Sequence, residues 1–365
     1  MDLNQVVVDK LAKRINRGGQ NASLAMERLM REAGISKDFI GYVGRDEQRR
    51  NVLFGSNGHV FMEFNEEDYY LHKHPVGQLA ERLAIPGQYL KSLVFGNDEQ
   101  RFLAAIILNK HSEWTNRNRV LIRTVGEEVR GVLSDKYRRL NSHRIVAGFL
   151  EEAINQGAAL ADGHFTDTKL FVETLLPKPI IFPTPKNGDV AIAYGARLST
   201  SDYGDGALDM RVFMMQGACL NGMVRESVVR EVHLGKRLPE SLEFSERTYE
   251  LDTQATTSAI RDCTQNLFNV SQIEKSMREI QAASAEEVDI VKELRNLQKN
   301  NLTKNEAEKV QAVLLENRPD DGITGESTLW KLVQGITAVS REMEPERQRE
   351  LQEIGGRLMD RVAVK

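Results

Sequence analysis

Only two cysteines, Cys219 and Cys263, occur in the 365 residues. They are too few for a disulfide framework and lack metal-ligand spacing, so a reducing compartment is expected. No run approaches the ~18 apolar residues needed to cross a bilayer, and no basic-apolar leader opens the chain, which together point to a soluble protein of the host cytoplasm. The sequence has no GxSxG, HExxH, Walker or dinucleotide motif, no internal repeat and no low-complexity segment. Nothing in it calls for a metal or a cofactor. Neither sign of charge dominates: 49 Lys/Arg stand against 53 Asp/Glu, a net of −4. A dedicated duplex binder would be strongly basic, so any polyanion site must be a patch.

A chain with 41% hydrophobic residues can bury a sizeable core, and its length suggests about two domains. The charge is uneven. Residues 1–239 carry 32 Lys/Arg and 29 Asp/Glu, a net of +3, and residues 240–365 carry 17 and 24, a net of −7. The expected organisation is a helical N-terminal arm (1–45), an α+β core (46–240) and a helical C-terminal region (241–365).

Residues 117–150, RNRVLIRTVGEEVRGVLSDKYRRLNSHRIVAGFL, organise the reading. Arg117, Arg119, Leu121 and Arg123 share one parity while Val120 and Ile122 share the other, which predicts a strand with one apolar and one cationic face. Gly126 turns the chain and residues 129–133 return, giving a β-hairpin. A basic loop with Lys136, Tyr137, Arg138 and Arg139 follows, then a helix capped by Asn141 or Ser142. Alternate residues on a strand lie ~6.6–6.8 Å apart, near the phosphate spacing of an extended single strand, so Arg117, Arg119 and Arg123 could track a nucleic-acid backbone. Arg130, Lys136, Arg138, Arg139 and Arg144 would extend the groove, Tyr137 could stack on a base, and Arg225, Arg230, Lys236 and Arg237 could form its opposite wall. The plainer alternative is a solvated face whose arginines pair with acids such as Glu226 and Glu231.

Elsewhere the pattern predicts two short N-terminal helices broken at Gly18–Gly19, a hairpin at Asn57–Gly58 with a type I′ turn, and a helix pair hinged at Pro86. That pair superficially matches a helix-turn-helix, but its second helix carries one cation, Lys91, which favours packing over groove reading. Four further strands are expected in residues 158–216, with the prolines between 177 and 185 excluding regular pairing. The sheet would be mostly antiparallel, with about six strands and helices on one face. The loop STSDYGDG (199–206) reads as a mobile hairpin tip. Beyond residue 242 everything reads as helix, with one continuous helix over residues 272–299 and a capping box at Thr303 and Glu306.

Four strings resemble, in order, the phage- and plasmid-like proteins grouped as domain of unknown function 932. They are QLAERLAIPGQYL, VRGVLSDKYRRLNS, the C-x-N-G element in GACLNGMV, and TLWKLVQGITAVSREME followed by ERQRELQEIGGRLM. Together they span most of residues 72–360. The chain departs from the family at Cys219–Leu220, where Thr or Ser often follows the cysteine, and in its long N-terminal arm. The resemblance implies a mobile-element context and no particular activity.

Catalysis by Cys219 would need a base, and His233 lies fourteen residues away. Asn221–Gly222 reads as a turn. His72 and His74 would share a strand face but lack further ligands for a metal. The leading expectation is therefore a non-sequence-specific single-stranded nucleic-acid binder, acting as an oligomer in recombination or replication. The other is a structural protein docking a phage or host partner through its acidic helical end.

Overall fold

In the computed structural model the described residues are 3–43, 51–115, 119–135, 137–216, 221–231, 244–299, 301–316, 318 and 323–362. They form a mixed α+β fold with a helical C-terminal region, as the sequence predicts. The strands divide between two six-stranded sheets rather than one.

The first sheet contains β1 (Ser36–Tyr42), β2 (Leu53–Ser56), β3 (Val60–Phe64), β4 (Glu67–Leu71), β5 (Arg119–Val125) and β6 (Glu128–Ser134) in the order β1-β5-β6-β4-β3-β2. Only the β4–β6 pair among these is parallel. The β2–β3 hairpin forms as predicted, although its turn is a three-residue loop with the positive φ at Gly58 (+68°) instead of a two-residue type I′ turn. Three helices cover one face: α2 (Lys73–Arg82), α3 (Gly87–Val94) and α4 (Asp98–Trp114). Val76, Leu79, Leu90, Leu93, Ala104 and Leu108 pack against Val120, Ile122 and Val132.

The second sheet runs β12-β11-β10-β8-β7, from β7 (Ala159–Phe165), β8 (Leu170–Leu175), β10 (Gly188–Thr200), β11 (Leu208–Gln216) and β12 (Asn221–Glu231). The thirteen-residue β10 is long enough to hold two partners on one edge. Its second half pairs with β8, while its first half pairs with β9 (Ile180–Thr184), where the predicted exclusion by proline fails. Pro183 is tolerated because β9 is an edge strand. Asn221 and Gly222 already pair with Gln216 and Met215 in the ladder, so they belong to β12 and not to a turn.

Alternation along β10 assigns the two faces of this sheet. Val190, Ile192, Tyr194, Ala196 and Leu198 meet α5 (Ser142–Asn155), α6 (Glu246–Leu267), α7 (Val270–Ala285) and the helices after them in the main core. Ala191, Ala193 and Arg197 face α1 (Leu3–Ile35) and α11 (Pro345–Met359). The N-terminal segment is thus a single 33-residue helix seated on β7, not a broken arm. Gly18 and Gly19 do not interrupt it: a Cβ on Gly18 would overlap the Ala161 carbonyl, and one on Gly163 would strike Ala22. Glycine is used there for close approach of helix and strand.

The predicted helix over 272–299 is two, α7 and α8 (Ile290–Gln298), because Asp289 caps α8 at the Lys292 amide. α9 (Lys304–Leu315) has its capping box, with the Glu306 amide donating to Thr303 at 3.3 Å and the Thr303 amide donating to Glu306 at 2.8 Å. Every residue of α10 (Leu329–Ser340) is buried, so the C-terminal helices help build the main core.

Candidate functional site

The predicted alternation of the central hairpin is present, but its cationic face is internal. Val120 and Ile122 enter the helix-covered core of the first sheet, while Arg119 and Arg123 lie on the face that meets the loop between β10 and β11. Arg119, Arg123 and Arg130 are only 9%, 7% and 7% exposed. Arg123 donates from Nε and Nη2 to Asp38 at 2.7 and 2.8 Å and from Nη1 to the Asp202 carbonyl at 2.8 Å. Burial alone would raise the Asp38 carboxyl, but Arg123 and then Arg139 hold it below the usual carboxylate range. Arg130 is the extra residue of a bulge, since Arg123 pairs with Gly131 and Thr124 with Val129. It donates to the Asp167 carbonyl at 2.6 Å and lies over the Tyr203 ring.

The other predicted contacts scatter. Arg138 grips Asp252 through two 2.6 Å bonds, Arg139 lies over Tyr249, and Arg144 makes a surface pair with Glu250. Arg225 lies 3.1 Å from both Glu279 and Asp360. Arg230 is exposed at the end of β12, beside a separate cavity rich in carboxylates. Tyr137 donates its hydroxyl to the Ser201 carbonyl and lines the cleft described below. Arg117, Lys136, Lys236 and Arg237 lie outside the described residues, as do Cys219 and His233. Among the described residues the expected arginine trough is absent, because the second sheet covers that strand face and carboxylates or carbonyls take up the guanidinium groups.

The covering element is the 199–206 loop, which is a buried joint rather than a mobile tip. Thr200, Ser201 and Tyr203 are each 3% exposed. Besides Arg123 and Tyr137, it engages Ser142, which donates to Asp202 at 2.5 Å, and Gln78, which donates to the Tyr203 carbonyl at 2.8 Å. Tyr203 itself donates to Glu32 of α1 at 2.5 Å. Both sheets and α1 therefore meet on one loop.

Beside this joint opens a cleft of about 670 Å³, within the size range of ligand sites. One wall is α2 and α3, carrying Lys73, His74, Gln78, Glu81, Arg82 and Lys91; the other is β6 with Asp167, Thr168, Gly204 and Gly206. Much of the polar lining is already committed. His74 Nε2 lies 3.0 Å from the Tyr203 carbonyl, Gln78 also accepts from the Val132 amide at 2.7 Å, and Arg82 donates to the Leu133 carbonyl at 3.1 Å. Asp167 lies 3.3 Å from His72 and 3.7 Å from Arg130. Burial, then the Arg130 charge, pushes the His72 imidazole down. His72 and His74 do not share a strand: His72 caps α2 and His74 sits in its first turn.

Lys73 and Lys91 are different. Lys73 is exposed and Lys91 half-buried, with its stem packed over Gly77, and neither ammonium has a carboxylate partner among the described residues. The N-terminal turn of α2 adds no donors to that wall, because the His72 ring accepts from the His74 amide and Pro75 has no N–H. The arrangement can hold an anionic group. It was only faintly legible in the sequence, because its cations come from two helices whose mutual approach depends on the turn at 83–86. No protein-family model matches the chain, and no curated protein or solved structure matches it either. Among the described residues no helix is long and apolar enough to cross a membrane.

Proposed function

We propose that this chain binds single-stranded nucleic acid without sequence readout, holding phosphates in the cleft between α2, α3 and β6. The observation carrying the reading is the pair of ammonium groups of Lys73 and Lys91, without a carboxylate partner among the described residues, in the cleft of about 670 Å³. The role is a binding role in recombination or replication, in the cytoplasm of a cell hosting a phage or plasmid element, a context supported by the resemblance of four sequence strings. The contact is electrostatic and backbone-directed, since the lysines present point charges and no planar fork for a base edge.

Fluorescence anisotropy of a labelled oligonucleotide, titrated from 50 to 200 mM salt, tests this. Each lost phosphate contact lowers the logarithmic salt slope by about 0.7 for a single strand, so Lys73→Ala with Lys91→Ala reduces it by about 1.4. Over that fourfold salt range the wild-type affinity then falls about sevenfold more than that of the double variant. No binding by the wild type at 50 mM salt, or an unchanged slope in the double variant, refutes the reading.

A further inference from the structure

The exposed face of α4 carries several large apolar side chains where a surface helix is ordinarily polar. Its inner residues Ala104, Ala105, Leu108 and Ser112 are buried. On the outer side Phe102 is 62% exposed, Leu103 41%, Ile106 42% and Trp114 59%, with Phe95 of the preceding turn at 52%. At 100° per residue, Glu99, Phe102, Leu103, Ile106, Lys110, Glu113 and Trp114 fall within one third of the helix circumference. A stripe of exposed apolar side chains interspersed with charges marks an interaction surface.

We propose that this stripe is the two-fold interface between two copies of the chain, with α4 packed antiparallel against α4 of the second copy. The argument is self-complementarity. A two-fold axis level with residues 104 and 105 sets Leu103 opposite Ile106 and Glu99 opposite Lys110, each pair equidistant from the axis along the helix. Two symmetric Glu99–Lys110 pairs thereby flank an apolar centre, the pattern an isologous contact demands. Glu99 has no partner in its own chain among the described residues. Lys110 reaches Glu113 at 3.2 Å in an exposed pair, which is exchanged at little cost. A partner of other sequence would not require oppositely charged residues equidistant from one point.

Light scattering after size exclusion, with the full chain at about 50 μM, reads the state directly. The wild type is expected at twice the 41.2 kDa chain mass. Ile106→Asp, which brings two carboxylates together beside the axis, weakens association at least about 100-fold. Glu99→Lys or Lys110→Glu alone weakens it about tenfold, and the two together restore it. Trp114 emission shifts to the blue on association, while Trp330, 1% exposed, does not change. Circular dichroism confirms that the surface charge reversals leave the fold intact. A wild type that is monomeric at that concentration, a dimer that survives Ile106→Asp, or a double reversal no better than the single ones overturns the proposal.

Discussion

Replacing Asp38 by Ala tests whether the central arginines are internal structure or a solvated binding face. In the fold described here Asp38 accepts two bonds of 2.7 and 2.8 Å from Arg123, whose side chain is only 9% exposed. Truncation leaves a buried guanidinium with the Asp202 carbonyl at 2.8 Å and the Asp202 carboxylate no closer than 3.8 Å. Removing one partner of a buried ion pair costs about 3–5 kcal/mol, whereas breaking an exposed pair costs about 0–1 kcal/mol. With a urea m-value of about 3 kcal/mol/M for a chain of this length, 4 kcal/mol lowers the unfolding midpoint by about 1.3 M. Equilibrium urea unfolding followed by circular dichroism measures it. Because apolar replacement of a whole buried pair is often neutral, Asp38→Leu combined with Arg123→Met recovers most of the loss. A midpoint shift below about 0.3 M for Asp38→Ala places the pair in solvent and refutes the buried-joint account.

Two glycines of α1 separate conformational entropy from close approach. Gly34→Ala meets nothing within 4 Å and stabilises by about 0.5–1 kcal/mol. Gly18→Ala drives a methyl into the Ala161 carbonyl and destabilises by at least about 3 kcal/mol; equal thermal midpoints for the two variants would contradict the seating of α1 on β7. Glu306 accepts two 2.7 Å bonds from Arg347, and this pairing, opposed by burial and aided by the Thr303 amide, pulls its carboxyl down to about 2. A depressed folded value means stability present above the ordinary pH of about 4.5 and lost as the pH falls toward 2. Glu306→Gln therefore costs about 1–3 kcal/mol at pH 7, and its thermal midpoint converges on that of the wild type across that acid window.

The sequence carried the elements whose information is local. Asn57–Gly58, the Gly126 turn, Pro86 before α3 and the Thr303–Glu306 box each depend on a few adjacent residues, and each is found where predicted. What failed depends on distant chain. The parity of Arg119 and Arg123 is local and legible, but their burial is not, because the loop covering them lies some eighty residues downstream in sequence. Gly18–Gly19 looked like a break because its reason, the Ala161 backbone, lies on β7. The serine- and glycine-rich 199–206 loop has the composition of a mobile tip, yet it is held by hydrogen bonds from Gln78, Arg123, Tyr137 and Ser142, which no local pattern discloses. Of the cleft, the sequence marks Lys91 as the solitary cation of its helix, whereas its place beside Lys73 on one wall depends on how α2 and α3 pack.

The helix at the start of the chain and its seat are far apart in the order of synthesis. α1 is complete at Ile35, whereas β7, against which Leu11, Gly18 and Ala22 are buried, ends at Phe165. At about 5–20 residues per second the intervening 130 residues take a ribosome about 6–26 s. Throughout that interval Val7, Leu11, Ile15 and Leu29 face water or whatever chaperone is at hand. Assembly of this protein is consequently governed by how long its first helix can wait, and translation pauses before residue 165 would lengthen the period in which nascent chains stick to one another.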